Sequence, residues 1–542
     1  MARLTRRAAL SVTAAAATLP RFAIAQSDQR PTVTVAVQKI ANSNTLETAR
    51  EQSNVGSRTF NSYAEMLIDT DWIGDLSQRP GLATAWRRID DRTVELDLRQ
   101  DVKFHNGDTM SAEDVVFSFG PERLFGGSDQ GQGGTLFAAP TTTGAAGKAP
   151  PPEVPAVARR TYPGLERIEI VREGVVRFVN RTPDVTLEGR IARNVGVILS
   201  RRGFAEAESW LAWARRPVGT GPYMVAEFRP DTSLTLAAFD DYWGGRPPAR
   251  QIRFLEVPEV ASRINGLLSG EYDFACDIPP DQIAPIERNP RFEVAGSLIT
   301  NHRLTVFDKN HPQLADPRVR RAMTHAIDRG AIVEALWAGR TRVPKGLQWE
   351  YYGELFQTDW DVPAFDQAEA RRLLREAGYR GDPIPYRLLN NYYTNQNATA
   401  QILVEMWKAV GLNVQIEMRE NWQQIFDRNS PRGVRDWSNS APFNDPVSSI
   451  TNQHGPRGQQ QQVGEWTNDE FNRLSVELET STDRARRRAV FRRLLEIAER
   501  EDPAYTVLHQ TATFTAKRKD IRWQAAQSFL MDFRARNLAF PA

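Results

Sequence analysis

His105, Asp108 and Glu113 are the residues whose types and spacing come nearest to a chemical site. An imidazole close to two carboxylates could bind a metal ion or transfer protons. Ser111 is, however, placed to cap a helix over 112–119, so the same stretch also predicts a plain turn before a helix. We favour this structural interpretation of the three residues.

The other chemical signatures are weak or missing. The six histidines form no H-x-x-x-H pair, and the single cysteine, Cys276, cannot form an internal disulfide or a thiolate metal cage. Gly219-Thr220-Gly221 lacks the further glycine and the lysine of a phosphate-binding loop, and no G-x-S-x-G motif lies near a histidine. The sequence therefore predicts a protein that is not an enzyme and has no cofactor and no metal site.

Segments that mix aromatic rings with amide side chains, without a helical or strand period, are better candidates for a binding site. Sites between two lobes combine aromatic walls with a few amide groups that hydrogen-bond the ligand. Each segment could equally be a surface loop or a packing element. The side chains that we predict to bind a ligand are Asn42, Asn44, Trp349, Tyr351, Tyr352, Tyr392, Asn395, Trp422, Trp437, Asn439, Phe443, Asn444 and Asp445.

The chain of 542 residues is too long for a single hydrophobic core, since cores stop growing at about 250–300 residues. At least two lobes must therefore position these side chains. With 69 Lys and Arg against 67 Asp and Glu, the formal net charge is +2, and 25% of the residues are charged. That balance creates no broad positive field, so we expect no nucleic-acid binding.

The first 25 residues are typical of an export signal. Arg3, Arg6 and Arg7 precede the apolar stretch 8–19, and an A-x-A cleavage sequence ends at Ala25. The paired arginines favour the twin-arginine route over the Sec route. The alternative, a basic amphipathic helix of a cytosolic protein, would need a polar face that this stretch lacks. Cleavage would leave 65 basic and 67 acidic residues, a formal charge of −2.

The first half of the mature chain alternates strands with turns. Thr32–Val37 is a β-branched run typical of a buried strand, and Thr93–Leu98 alternates apolar and polar residues, which predicts a half-exposed strand. The stretch 126–155 is rich in Gly, Pro and Ala and predicts a long surface loop. Further strands are predicted over 167–171, 175–179, 223–228 and 233–238, with a helix over 262–268 that ends at Gly270.

The second half predicts an α/β lobe. Asp316-Pro317 opens a helix with apolar residues at i, i+3, i+4, i+7 and i+8, and Asp366 opens another that stops at Gly378. A third helix over 397–410 leads into the alternating strand 413–418. Strand, helix and strand in this order form a βαβ unit, so the predicted fold class is α/β.

Motifs spread along the chain resemble the signature of the family 5 extracellular solute-binding proteins, the peptide- and nickel-type receptors of bacterial ABC importers. The matches run from about residue 33 to the C-terminus and so cover nearly the whole mature chain. They include Pro80-Gly81-Leu82-Ala83-Thr84-Ala85-Trp86, Val102-Lys103-Phe104-His105-Asn106-Gly107, Ser111-Ala112-Glu113-Asp114-Val115-Val116-Phe117, Val218-Gly219-Thr220-Gly221-Pro222-Tyr223, Asp241-Tyr242-Trp243-Gly244-Gly245 and Asp316-Pro317-Arg318-Val319-Arg320-Arg321-Ala322-Met323.

The resemblance implies a two-lobed periplasmic-binding-protein clamshell of type II, similar to cluster C, with an extra subdomain in lobe I. The protein would capture a small solute, a peptide or a peptide-like compound, close about a hinge, and deliver it to an ABC permease in the inner membrane. It would be a periplasmic monomer. The implied ranges are 1–25 for the signal peptide, 26–60 for the start of lobe I, 61–214 for the extra subdomain, 215–295 for lobe I, 296–505 for lobe II and 506–542 for the return to lobe I.

One segment departs from the family pattern. Peptide receptors of this family resemble one another in holding the free amine of the peptide with an aspartate four residues before a proline. Four residues before Pro446 this sequence has Pro442, which cannot pair with a cation, and Asp445 has the wrong spacing. An opine, a sugar or a metal chelate, as bound by other members, is therefore an alternative ligand. A sensory receptor or chaperone of the same fold, and a secreted hydrolase, are the alternative functions.

Overall fold

The computed structural model describes residues 28–126 and 148–541. The predicted signal peptide 1–25 and part of the predicted loop 126–155 lie outside the described residues. The largest unit is a mixed ten-stranded sheet. From one edge to the other its strands are Tyr223–Arg229, Ser233–Ala238, Gln251–Glu256, Thr32–Val37, Phe274–Ala275, Tyr505–Arg518, Phe292–Phe307, Val434–Ser440, Ile384–Leu389 and Val414–Arg419.

Two long antiparallel strands, Phe292–Phe307 and Tyr505–Arg518, pass through both halves of this sheet, and we call them the crossing strands. Their pairing is continuous from Phe292 to Leu298 and shifts register between Leu298 and His302. A break in the ladder bends a strand locally. This point therefore separates two lobes that share one sheet.

We call the side of the sheet that contains Thr32–Val37 the first lobe and the side that contains Val434–Ser440 the second lobe. Thr32–Val37 pairs in parallel with both of its neighbours, as expected for a β-branched strand that is covered on both faces. In the second lobe Ile384–Leu389 and Val414–Arg419 are parallel, and the helix Gln396–Ala409 connects them. The predicted βαβ unit and the α/β fold class are confirmed.

A separate four-stranded antiparallel sheet lies within the range 61–214. Together with the helices packed on it we call it the small-sheet subdomain, and its buried side chains are continuous with those of the first lobe. Two short pairs of strands, Glu65–Met66 with Val197–Ile198 and Ile68–Thr70 with Gln78–Pro80, connect it to that lobe. The order of the four strands is Ala83–Asp90, Thr93–Leu98, Val175–Asn180 and Leu165–Arg172.

The strand Thr93–Leu98 is more buried than its alternating pattern predicts. Glu95 is only 3% exposed. Arg87 and Arg177, on the two neighbouring strands, cover its carboxylate, and Arg177 Nη2 lies 2.6 Å from Glu95 Oε2. The prediction of a half-exposed strand is wrong here, because the pattern of one strand does not show which charges its neighbours will bring.

Nineteen α-helices are present among the described residues. Those of the first half are Asn54–Ser57, Phe60–Tyr63, Ala112–Phe119, Pro121–Phe125, Glu153–Thr161, Leu187–Ile191, Arg201–Glu206, Trp210–Arg215, Val260–Ser269 and Ile283–Glu287. Those of the second half are Pro317–His325, Arg329–Trp337, Gln367–Ala377, Gln396–Ala409, Trp422–Phe426, Ile450–His454, Gln459–Gln462, Asp469–Thr480 and Arg484–Leu495, the last continued by a π-helical turn over Glu496–Glu501.

The predicted helix starts and stops are confirmed where a cap was visible in the sequence. The Ser111 backbone N–H donates to Asp114 Oδ2 over 3.0 Å at the start of Ala112–Phe119. Asp316 accepts from the backbone N–H of Arg318 over 2.8 Å. Gly270 ends its helix with φ +87°, a left-handed conformation that glycine adopts without strain.

Buried hydrophobic side chains form four clusters. One fills the first lobe and the small-sheet subdomain, and two fill the second lobe on either side of its strands. The fourth lies against the crossing strands, where Phe292 and Phe514 pack with Trp337. The core is therefore divided as the length of the chain requires.

Among residues 28–126 and 148–541, no helix is both long enough and apolar enough to cross a bilayer. Over the same residues, no group of three or more His, Cys, Asp and Glu side chains is arranged to hold a metal ion. Cys276 is buried, and burial raises the pKa of its thiol to about 11.

Candidate functional site

A cleft of about 1810 Å³ lies between the two lobes. Ile299, Thr300 and Asn301 line it at the point where the crossing strands shift register, and both lobes and the small-sheet subdomain supply its walls. The volume exceeds the roughly 300–1,000 Å³ of ordinary small-molecule pockets. The cleft therefore has room for a ligand larger than a single amino acid.

The second-lobe side of the cleft is a continuous set of aromatic rings, Tyr392, Tyr393, Trp422, Phe426 and Trp437, which we call the aromatic wall. Trp422 is its centre, with ring centroids 5.2 Å from Tyr392 and 5.2 Å from Trp437, both nearly perpendicular. The indole N–H of Trp422 is buried and has no hydrogen-bond partner among the described residues. Such a wall offers apolar area to a bound solute.

Buried arginines stiffen the aromatic wall from behind. The Arg435 guanidinium lies 4.6 Å from the ring of Trp437 and is paired with Glu465 at 2.6 Å. Arg303 lies 3.6 Å from the ring of Tyr393. Cation–π contacts of desolvated arginines fix ring orientation as well as adding stability. The wall is therefore held in place before a ligand arrives.

The first-lobe side of the cleft is polar. Asn42, Asn44 and Glu51 line it, and Asn44 adopts a left-handed conformation with φ +56°. Glu51 is 5% exposed, and its carboxylate accepts from the backbone N–H of Ser43 over 2.7 Å and from the Ser43 hydroxyl over 2.6 Å. Ser53 donates to the other oxygen of Glu51. The carboxylate is thus satisfied within its own loop.

Hydrogen bonds join the two sides of the cleft. Asn42 Nδ2 donates to the Tyr392 hydroxyl over 3.0 Å, and Asn54 Nδ2 donates to the Ser438 hydroxyl over 2.8 Å. These bonds connect the first lobe to the second lobe. The lobes are in contact, as in a closed clamshell.

Five of the predicted ligand-binding side chains line the cleft. Two of them, Asn42 and Asn44, follow the first strand, and three belong to the aromatic wall, namely Tyr392, Trp422 and Trp437. The structure thus brings together segments that are more than 300 residues apart in the sequence.

Three predicted residues pack inside the second lobe and not in the cleft. Trp349 stacks on His302 with ring centroids 4.1 Å apart, and the Tyr352 hydroxyl lies 2.9 Å from the Ser449 hydroxyl. The Tyr351 hydroxyl donates to a backbone carbonyl of the second lobe. Their rings pack in the hydrophobic core of the second lobe.

Asn395, Asn439 and Phe443 also lie outside the cleft lining. Asn395 Nδ2 donates to the backbone carbonyl of Leu336 over 2.8 Å, at the start of the helix Gln396–Ala409. Asn439 is 1% exposed, on a strand whose flanking serines face the cleft. Phe443 packs against Gly189 of the small-sheet subdomain.

Asn444 and Asp445 are the last two predicted residues that lie outside the cleft lining. Asn444 is exposed, whereas Asp445 is 7% exposed and holds Arg487 with two bonds of 2.8 and 2.9 Å. Pro442, by contrast, lines the cleft. At the position where the resemblance implies an amine-binding aspartate, this chain therefore has a proline that lines the cleft. The nearby carboxylate of Asp445 is bound to Arg487 in the core.

Several residues of the cleft were not among those predicted from the sequence. Tyr393 and Phe426 complete the aromatic wall, Thr300 and Asn301 come from the crossing strand, and the small-sheet subdomain contributes two arginines, Arg160 and Arg193. Tyr393 follows the predicted residue Tyr392, so the sequence already indicated this segment. The others carry no local signal, since their role depends on which distant segments meet.

His105, Asp108 and Glu113, the residues considered first for metal binding or proton transfer, lie outside the cleft lining. His105 Nε2 lies 2.9 Å from the backbone carbonyl of Gly221, and its ring packs edge-on against Phe239 at 5.1 Å. Burial lowers the pKa of His105 to about 4. This histidine stabilises a turn, in agreement with the structural interpretation.

Comparison with known proteins places the sequence in a family. Residues 77–460 match the family model for bacterial extracellular solute-binding proteins, family 5. Di/tripeptide-binding protein 2 of Pseudomonas aeruginosa is 26% identical over 481 residues, which cover 83% of this chain and 84% of that protein. Heme-binding protein A of Haemophilus influenzae is 24% identical over 473 residues, which cover 80% of each protein.

Solved structures share the fold. The dipeptide-binding protein of Pseudoalteromonas sp. SM9913, in complex with Met-Leu, has a TM-score of 0.81 at 20% identity and covers 94% of this chain and 100% of its own. The binding protein AgaA from A. tumefacien R10, in complex with agropinic acid, has a TM-score of 0.76 at 19% identity and covers 94% and 99%. The fold is that of type II periplasmic binding proteins. Because the family model matches most of the chain, the protein belongs to the bacterial extracellular solute-binding proteins of family 5.

Proposed function

We propose that this protein is the substrate-binding component of an ABC importer, which captures a small peptide or peptide-like solute in the cleft and delivers it to a permease in the inner membrane. The observation that carries the proposal is the cleft itself. Its polar and aromatic sides belong to different lobes, and the crossing strands run between these lobes at its base. A ligand that touches both sides would favour closure.

The relatives support this function. Their names include proteins that bind dipeptides, di- and tripeptides and oligopeptides. Export through the twin-arginine route with cleavage after Ala25, a periplasmic location and a monomeric state are parts of the same proposal. A permease that recognises the closed form of a single binding protein does not require a dimer, which is why we propose a monomer.

A ligand without a free amine is a second candidate, and Pro442 favours it. Proline faces the cleft where a carboxylate would be needed, and Asp445 is bonded to Arg487. A buried ammonium without a carboxylate partner is costly. Opines and metal chelates, which some structural neighbours hold, fit this condition better than an ordinary free-amine peptide.

Native mass spectrometry of the protein as purified tests the proposed function. We expect a bound small solute that denaturation releases with its mass unchanged. Incubating the protein with that solute should give no product, since neither a histidine nor a cysteine lines the cleft among the described residues, and the Ser43 and Ser53 hydroxyls donate to the Glu51 carboxylate. Turnover of the solute would instead support a secreted hydrolase.

A further inference from the structure

Two arginines at the small-sheet end of the cleft stand without a carboxylate partner. Arg160 lies on the helix Glu153–Thr161 and is 7% exposed, and Arg193 follows the helix Leu187–Ile191 and is 8% exposed. Both line the cleft. Neither forms an ion pair within residues 28–126 and 148–541, and the Nε atoms of both are buried without an acceptor.

Other buried arginines of this protein are compensated. Arg123 is paired with Glu47, and Arg58 is paired with Asp277. Arg329, which has no carboxylate at bonding distance, donates to three backbone carbonyls and a hydroxyl. Among the buried arginines of the described residues, Arg160 and Arg193 therefore stand apart. The neighbouring Arg159 also has an unpartnered Nη2, but it is only half-buried and packs over Phe125 outside the cleft.

The acceptors near Arg193 and Arg160 are few and neutral. Arg193 Nη1 lies 3.2 Å from Asn452 Oδ1 and 3.5 Å from the Thr161 hydroxyl. The Arg160 side chain has no hydrogen bond to any described residue, and its Nε is buried. The nearby Arg190 is itself a cation and offers no acceptor atom, and the adjacent carboxylate of Asp184 is bound to it at 2.8 Å.

Burying these two charges is unfavourable. Burial, with the charge of Arg193 as a second cause, lowers the pKa of Arg160 to about 9, and burial lowers the pKa of Arg193 to about 10. A guanidinium taken out of water without an acceptor loses hydration that nothing replaces. A bound anion would supply the missing acceptors and offset the cost of burying the two guanidinium groups.

We propose that Arg160 and Arg193 form a carboxylate-binding subsite for the imported solute, at the end of the cleft where the small-sheet subdomain meets the second lobe. This inference rests on the proposed function and names the chemical class of the ligand. A planar guanidinium binds a carboxylate through two parallel bonds, which a lysine cannot imitate. Because Arg193 also touches Asn452 of the second lobe, a carboxylate held here stabilises the closed arrangement.

Thermal unfolding with matched pairs of small probes tests the subsite. The probes are succinate and glutarate, with their neutral diamides succinamide and glutaramide, each at about 10 mM and at constant ionic strength. We expect the two acids to raise the Tm of the wild-type protein by about 1 °C or more, and the diamides to leave it unchanged.

Three variants assign the effect to Arg160. Arg160→Met should lose the acid-specific Tm shift while keeping a ligand-free Tm at or above that of the wild type, because it removes an uncompensated buried charge. Arg160→Lys should retain part of the shift. The matched control is Arg159→Met, since Arg159 is on the same helix but packs over Phe125 and does not line the cleft; it should respond to the acids like the wild type.

Three results would overturn the subsite: equal shifts with acids and diamides, no shift with either acid, or a shift that survives in Arg160→Met. A large fall in the ligand-free Tm of Arg160→Met, with Arg160→Lys unaffected, would also overturn it, because Arg160 would then have a structural partner. If the solute released by the protein is neutral, the carboxylate subsite fails while the proposed import function stands.

Discussion

Pro442 is the residue that bears most directly on which solutes the cleft accepts. It lines the cleft four residues before Pro446, where the resemblance to peptide receptors implies an aspartate that holds a free amine. The nearest carboxylate in sequence, Asp445, is turned away and bound to Arg487 at 2.8 Å. The site therefore offers a cation no buried partner at this point.

We expect N-acetylation of the solute released from the purified protein, or of the best binder from a panel of dipeptides and opines, to weaken binding by less than about tenfold, or about 1.4 kcal/mol. An acetylated amine carries no charge, so a site without a pairing carboxylate loses little when the charge is removed. Calorimetric titration of the free and acetylated forms measures the difference.

Asp445→Asn is the control for this result. It should leave affinity unchanged within about twofold, or about 0.4 kcal/mol, yet lower the free energy of unfolding by about 3 kcal/mol, because Arg487 would lose its buried partner. A loss of about a hundredfold on acetylation, reproduced by Asp445→Asn, would instead assign the amine to Asp445 and restore an ordinary peptide receptor.

His454 should make the second lobe sensitive to acid. The side chain is fully buried, its ring lies 4.6 Å from that of Tyr505, and neither ring nitrogen has a partner among the described residues. Burial, and to a lesser degree the charge of Arg435, lowers its pKa to about 3. The unfolded chain takes up a proton below about pH 6.5 and the folded protein does not, so stability present above that pH is lost as the pH falls toward 3.

We therefore expect His454→Leu to reduce the acid sensitivity of unfolding. Between pH 7 and pH 5 the variant should lose about 2 kcal/mol less stability than the wild type, measured by urea unfolding at both values. Identical losses in the two proteins would mean that His454 does not remain neutral in the folded state.

At the scale of elements, the crossing strands decide how the lobes are joined. Their close pairing depends on Gly296, which has φ +153° and no room for a side chain. A Cβ atom at this position would meet the carbonyl oxygen of Thr513 at 2.0 Å and Phe514 Cα at 2.9 Å. Both contacts are with backbone that a rotamer change cannot relieve.

Gly296→Ala should consequently lower the free energy of unfolding by about 1–3 kcal/mol, because the two strands must separate locally to admit a methyl group. Urea unfolding followed by circular dichroism measures the loss. Gly330→Ala is the matched control, since this glycine lies on a helix with a nearest neighbour at 3.4 Å, and it should be neutral or slightly stabilising. Equal stabilities of the two variants would contradict the role assigned to Gly296.

Elements whose ends are set by local chemistry could be predicted from the sequence, and those set by distant partners could not. Ser111 with Asp114 predicts a helix start from the local sequence alone, and so does Asp316 before Pro317. The burial of Glu95 depends on arginines 8 residues before and 82 residues after it. The order of the ten strands likewise follows from pairings that no local pattern records.

The same distinction applies to the cleft. Asn42 and Tyr392 could be proposed because they stand in polar-aromatic segments, whereas Trp349 and Tyr352 have the same appearance and pack in the core. Arg160 resembles any helical surface arginine in the sequence. Only the fold shows that it is buried at the cleft without a partner.

At the scale of the whole molecule, delivery to the periplasm comes before binding. We expect replacement of Arg6 and Arg7 together by lysine to keep the protein in the cytoplasm with its signal uncleaved, because twin-arginine export requires the pair and not merely two positive charges. Cell fractionation with immunoblotting measures this. Normal appearance of the double variant in the periplasm would indicate the Sec route.

In the proposed function, closure of the two lobes links ligand binding to delivery to the permease. Asn42 with Tyr392, Asn54 with Ser438 and Arg193 with Asn452 each form one hydrogen bond to the second lobe. Few such bonds hold the lobes together without a ligand, so the free protein should be mainly open. If the closed state is populated at about 1%, the apparent affinity is about 100-fold weaker than the intrinsic one.

Small-angle X-ray scattering of the protein with and without its released solute tests the central claim most directly, namely that the solute is held between the lobes. We predict a smaller radius of gyration at saturation, because the solute contacts both sides of the cleft and favours the closed state. Trp422→Ala, which removes the centre of the aromatic wall, should show no compaction at the same solute concentration. An unchanged scattering profile at saturation, or equal compaction in Trp422→Ala, would contradict the claim.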